Sequence, residues 1–135
     1  MIKEDYFIPI YNVNLTLIQV ISSDDAERIK DIMLSSGITE QEYIDYTING
    51  IKNNAEDGGE TYRNLSKKEI LCIFYKISDE ETKDEIYAHE KRHVEDRLLE
   101  FFEIDDLESA ALLAGYLGRL FYRFKTIQDE RIRSI

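Results

Sequence analysis

From Ser78 to Ala114 the chain contains neither glycine nor proline, so nothing in its covalent backbone interrupts a helix over that stretch. Ser78 with Glu81 has the form of a capping box, and the reading is one long helix over residues 79–103. Asp105 and Asp106 restart a second helix over 106–126. There Leu107, Ala110, Ala111, Ala114, Leu117, Gly118 and Phe121 recur three or four apart, and the small members let it pack closely on the first. Two such helices must bury a side each, which leaves the N-terminal part to supply the surface that receives them.

That part reads mainly as strands. Residues 6–21 are rich in Ile, Val, Leu, Thr and Tyr and are interrupted by Asn12 and Asn14, the pattern of extended chain with a turn in the middle. Ser23, Asp24 and Asp25 offer helix caps ahead of Ile29, Ile32 and Met33, with Gly37 as the stop, which predicts a short amphipathic helix. Tyr43 to Ile48 has strand composition and is followed by the hairpin signal Asn49-Gly50, so a strand is expected there, although Thr39 with Glu42 also imitates a helix cap. Residues 52–68 are polar, contain Gly58-Gly59 and lack periodicity. They are expected to form the one long loop, with room for a short extended piece near Tyr62. Glu69 to Ile77 is a nearly continuous apolar run, suited to a strand covered on both faces.

The fold class predicted is therefore α+β, a small twisted sheet against a long helix and a following antiparallel helix. At 135 residues this is a single domain, residues 1–135, with 6–77 mainly strands and one short helix. The charged tail 129–135 is expected to fray.

Acids outnumber bases 28 to 17, and a formal charge of −11 repels phosphate backbones and anionic lipid surfaces, so nucleic acid and membrane are poor partners. No apolar run approaches the roughly 20 residues needed to cross a bilayer. The opening Lys3-Glu4-Asp5 is not that of a secretory leader. The one cysteine, Cys72, lies in the run Ile70 to Phe74 and reads as a buried thiol. A cytoplasmic, reducing compartment is the expectation.

The chain's two histidines stand four apart, as His89-Glu90-Lys91-Arg92-His93, inside the first long helix. By chance a chain of this composition would show that H-E-x-x-H pattern in roughly 0.2% of arrangements. Four residues advance a helix by one turn and about 40°, so both imidazoles project from one face and can grip one zinc ion. Glu90 projects beside them, placed to take a proton from a metal-bound water. A catalytic zinc needs a third protein ligand, and with no third histidine a carboxylate must serve. Glu108, in the first turn of the next helix, is the best placed, with Asp105 and Asp106 as rivals, one of which is the expected N-cap. The metal set predicted is His89, His93 and Glu108 around Zn2+.

His89-Glu90-x-x-His93 followed by Glu108 resembles the gluzincin branch of the zinc metallopeptidases. The layout is similar to that of small, minimal gluzincin-like proteins of phages and mobile elements, in which an Ile-Pro-Ile-Tyr opening precedes a strand and a Glu-x-x-x-x-Leu-x-Gly-Tyr segment follows the motif. Those features stand here as Ile8 to Tyr11 and as Glu108 to Tyr116. The resemblance implies a zincin-like fold and hydrolysis of a peptide or protein substrate, with Glu90 as general base and the substrate along an edge strand, Tyr43 to Ile48 or the 52–68 segment. Tyr87, Tyr116 and Tyr122 are alternatives as the oxyanion donor. The pattern departs from the family in Lys91, Arg92 and Glu95, whose charges require that side of the helix to face water unless they are paired. Two other readings stay open: a zinc-binding but inactive relative acting as a structural or protein-interaction module, and a metal-free acidic interaction protein.

Overall fold

Two strands that read as almost unbroken apolar runs need cover on both faces, and the computed structural model, which describes residues 1–133, supplies it. Strand β2 (Val13–Gln19) pairs in parallel with β4 (Glu69–Phe74), Leu17 opposite Cys72. Leu15, Leu17, Cys72 and Phe74 are buried on one face of that pair, Ile18, Leu71 and Ile73 on the other. Strand β1 (Ile2–Ile8) adds antiparallel to β2, and β3 (Gly59–Asn64) antiparallel to β4, for the order β1-β2-β4-β3. Helices α1 (Ala26–Ser35) and α2 (Gln41–Lys52) cover one face; α3 (Glu80–Phe101) and α4 (Leu107–Arg133) cover the other. The protein is α+β, with a four-stranded mixed sheet and four helices among the described residues. None of those helices is long and apolar enough to cross a membrane.

The hairpin of β1 and β2 turns over residues 9–12, where Asn12 takes a φ of 52°, so the interruption expected at the asparagines is the turn. Helix α1 follows the cap at Ser22 and ends ahead of Gly37, whose φ of 83° is the left-handed conformation glycine adopts without strain.

Two expectations need correction. Tyr43 to Ile48 is part of α2, not a strand: Ile44, Thr47, Ile48 and Ile51 fall on one helical face and are buried, while Tyr43 and Tyr46 point out. Burial of that face outweighs the strand propensity of its β-branched residues. Asn49-Gly50 then makes no hairpin. Gly50 instead lets α2 approach the sheet, since a Cβ there would stand 3.3 Å from the Tyr75 hydroxyl. The 52–68 segment is not one loop, because β3 and a 3-10 turn at Leu65–Lys67 lie within it. As an edge strand β3 needs no continuous apolar run, and it is the extended piece for which the sequence left room near Tyr62.

Helix α3 begins one residue later than the capping box suggests. Asp79 is the cap, accepting from the Thr82 amide at 2.7 Å, and Ser78 donates instead to Asp57. Helix α4 returns antiparallel, capped by Asp106, which accepts from the Ser109 amide at 2.8 Å. It runs past 126 through Arg133. Ser134 and Ile135, in the tail expected to fray, lie outside the described residues.

Candidate metal centre

Helix α3 lies along β3 and β4, so the side of it next to the sheet's edge is defined by what β3 presents. Side chains alternate across a strand, and Gly59, Thr61 and Arg63 share the α3 side while Tyr62 turns to α2, where its hydroxyl meets Thr47 at 2.7 Å. Glu90 comes down onto Gly59 and is only 3% exposed. A Cβ at position 59 would lie 3.0 Å from Glu90 Cγ and 3.2 Å from the Ile73 carbonyl, so the missing side chain is the space the glutamate occupies. The Thr61 hydroxyl donates to Glu90 Oε2 at a long 3.4 Å and stands 3.4 Å from Cys72 Sγ.

One residue before and three after this buried carboxylate, the two imidazoles meet on the outer side of the helix, Nε2 to Nε2 at 3.0 Å. Ligand atoms of His89, Glu90 and His93 all lie within 4.8 Å of one another. Two nitrogens about 2.0–2.1 Å from one tetrahedral zinc are separated by about 3.3 Å, so the donor set fits a single ion after a few tenths of an ångström of adjustment. His89 is exposed and His93 partly so, which leaves the outer side of the pair open to solvent.

Burial pushes the Glu90 carboxyl above its ordinary range, and the nearby His93 and His89 and the Thr61 hydrogen bond only partly offset it. On the other face of β3, Glu60 is raised too, by burial and then by the charge of Glu90. A carboxylate that holds its proton more tightly than usual, beside a pair of imidazoles, is suited to accepting and returning one. Cys72 is buried as expected, its thiol pushed up to about 12 by desolvation, which makes it an inert neighbour.

Of the four predicted site residues, the fold brings three together and leaves Glu108 outside the group. Glu108 is exposed in the first turn of α4. The register of the two helices explains the separation. Lys83 meets Asp129, Asp84 meets Lys125 and Tyr87 meets Gln128, so Glu108 stands roughly 15 Å further along the pair than His93. Tyr87 faces α4, and His89, two residues on, points about 200° away round the helix. The histidines thus look past the edge of the sheet, away from α4.

The charges that departed from the family pattern are handled by pairing. Arg92 is exposed beside Asp96 at 3.1 Å, whereas Glu95 is 7% exposed and tolerates burial through its ion pair with Lys91 one turn earlier. Sequence reasoning missed Gly59 and Thr61. The Gly58-Gly59 pair was the available signal, read as loop punctuation when one of the two glycines is clearance for Glu90. Compared with protein-family models, curated proteins and solved structures, the chain matches none, so the reading of the site rests on its own geometry.

Proposed function

We propose that His89 and His93 supply two ligands of a Zn2+ ion and that the protein is a zinc-dependent, metallopeptidase-like hydrolase with Glu90 as its general base, the third ligand then coming from outside the His89-Glu90-His93 group. The observation that carries this reading is the junction of two facing imidazoles with a buried, proton-retaining carboxylate beside a glycine on an edge strand.

Zinc held there supplies a water made acidic near neutral pH and an electrophile for a carbonyl oxygen. The Glu90 carboxylate would accept a proton from the attacking water as its oxygen bonds to the carbonyl carbon, and return it to the amide nitrogen as the C–N bond breaks. Thr61 holds one of the carboxylate oxygens, and Gly59 keeps the approach clear. The outer edge of β3 offers unpaired backbone N–H and C=O groups, on which an extended peptide adds as a further strand and is carried under Glu90. A zincin-like arrangement is supported by the same facts, a motif helix laid along an antiparallel edge strand.

A second reading, zinc binding without turnover, is favoured by the place of Glu108, because with that residue outside the group the third protein donor is Glu90 itself and no free base remains. The two readings part on one variant. Glu90→Gln in the hydrolase keeps stoichiometric zinc and loses cleavage of a protein substrate; in the binding module it weakens zinc at least tenfold. Absence of stoichiometric zinc from the purified chain, or full occupancy in a His89→Ala/His93→Ala double variant, removes both.

A further inference from the structure

The surface along α3 and β3 is open at His89 and again beyond His93. One turn further on α3, on nearly the same face, stands Arg97, and on the same side of β3 as Thr61 stands Arg63. Together with Thr61, Tyr43, Tyr62 and Glu40 these two arginines line a cleft of about 380 Å³ that wraps the outer edge of β3. Thr61 lines this cleft and donates to Glu90 Oε2, so the cleft adjoins the buried carboxylate through that one residue.

Its lining carries a net positive charge, Arg63 and Arg97 against Glu40, on a chain that carries −11 overall. Elsewhere Lys3 pairs with Asp5, Lys52 with Glu27, Arg92 with Asp96, Lys125 with Asp84 and Arg131 with Glu4, while Arg28, Lys30, Lys67, Lys68, Lys76, Arg119 and Arg123 form no ion pair among the described residues. Arg63 forms no ion pair among the described residues, and Arg97 reaches only Glu100, at 3.8 Å and in the open. Two guanidinium groups thus face a single carboxylate, Glu40, across the cleft. The opening at His89 is acidic, with Asp57 and Glu85 beside that residue. A guanidinium is the side chain best matched to a carboxylate, which it holds through two parallel hydrogen bonds.

We propose that Arg63 and Arg97 form a subsite for a carboxylate of the substrate, an acidic side chain on an extended peptide. It rests on the proposed hydrolase reading and adds to it the class of substrate. From Glu90 to Arg97 is seven residues of helix, about 10.5 Å, and an extended peptide covers that in about three residues. The acidic residue therefore lies about three positions from the peptide bond held at Glu90. The net charge of −11 disfavours acidic peptides on the molecule as a whole, so a local pair of arginines gives their binding its position.

The test uses the full-length Glu90→Gln chain with zinc added, which keeps a bound peptide intact. The probes are acetyl-capped, amide-ended octapeptides of alanine and valine carrying one glutamate, scanned through every position, each compared with its glutamine counterpart. Binding is followed by NMR shift changes at low salt. The expected result is one position at which glutamate binds at least tenfold tighter than glutamine. That preference should fall severalfold in Arg63→Gln or Arg97→Gln and vanish in the double variant. Both side chains are solvent-facing, so folding is unaffected, and Lys at either position should retain part of the preference. Equal affinity of glutamate and glutamine peptides, a preference with no peak along the scan, one that survives the double variant, or no peptide binding at all overturns the subsite. Zinc stoichiometry measured on the same samples reports separately on the hydrolase reading: weakened zinc with a peaked glutamate preference would leave the cleft standing and replace the hydrolase by zinc binding without turnover.

Discussion

Glu90 rests on Gly59 so closely that no other residue type fits at position 59 without moving it: a Cβ there would stand 3.0 Å from Glu90 Cγ and 3.2 Å from the backbone oxygen of Ile73. The nearer atom belongs to a side chain, so the strain falls on the glutamate first. Gly59→Ala is therefore expected to displace Glu90 and lower hydrolysis at least tenfold, with zinc affinity within about threefold of the parent and a stability cost of about 1–2 kcal/mol. Turnover on any cleavable protein substrate, with zinc titration as the companion measurement, checks it. Parent-like turnover in Gly59→Ala would mean that the carboxylate need not sit where it does.

The raised carboxyl of Glu90 carries a pH signature in the metal-free chain. Its native state keeps the proton at pH values where the unfolded chain has released it, so stability falls as pH rises from the ordinary glutamate range through the raised native value. Glu90→Gln removes that loss. In chelator, the variant's Tm should exceed the parent's by an amount that is smallest in acid and grows towards neutral pH. Glu60, whose own upward shift comes from burial and then from the charge of Glu90, loses the second cause in the same variant and adds to the trend. A Tm difference flat across pH 4 to 8 contradicts the burial of an ionisable Glu90.

What the sequence disclosed and what it hid divide along a physical line. His89 and His93 were legible because a helix converts a spacing of four into a shared face whatever surrounds it. Leu15 to Ile18 and Ile70 to Tyr75 were legible because strands covered on both faces must be apolar throughout. Helix α2 was misread because Tyr43, Ile44, Tyr46, Thr47 and Ile48 have the propensities of a strand, and only the tertiary burial of the 44/47/48/51 face decides between the two. Strand β3 was legible only as a short extended piece near Tyr62, because an edge strand needs no continuous apolar run and so lacks the pattern that marks β2 and β4. Glu108 was placed by adjacency to the helix turn, but adjacency says nothing about rotation, and the rotation of α3 is fixed by Tyr87 against Gln128, a contact with α4 that the motif itself does not contain.

That rotation predicts the order of effects on metal binding. His89→Ala and His93→Ala should each weaken zinc by at least a hundredfold, since each removes one of the two facing imidazoles. Glu108→Ala should leave the affinity within about twofold, the carboxylate being exposed further along the helix pair and outside the His89-Glu90-His93 group. Zinc should also raise the Tm of the parent and of Glu108→Ala alike, as any ligand of the native state does, and do nothing for the His89→Ala/His93→Ala double variant. Calorimetric titration and thermal melts with and without zinc decide it. Loss of zinc in Glu108→Ala, with the fold intact, would require a different arrangement of α3 and α4.

The same Tyr87 that sets the rotation ties three elements together through its hydroxyl. It donates to Gln19 Oε1 on β2 at 2.9 Å and accepts from Gln128 Nε2 on α4, while Gln19 Nε2 donates to the carbonyls of Val20 and Tyr75. All three side chains are at most 5% exposed, so water cannot replace the hydroxyl. Tyr87→Phe keeps the ring against Phe74, 4.1 Å between centroids, and removes only the polar atom. It leaves a buried acceptor on Gln19 and a buried donor on Gln128 unmet, a loss of about 1–3 kcal/mol, or roughly 3–15 °C in Tm. Tyr122→Phe, at a tyrosine 72% exposed on α4, should change stability by less than about 0.5 kcal/mol. Denaturant unfolding of the two variants, side by side in chelator, measures the contrast. Equal stabilities would mean that the hydroxyl of Tyr87 has no part in fixing α3, and with it the direction of the histidines, against the sheet.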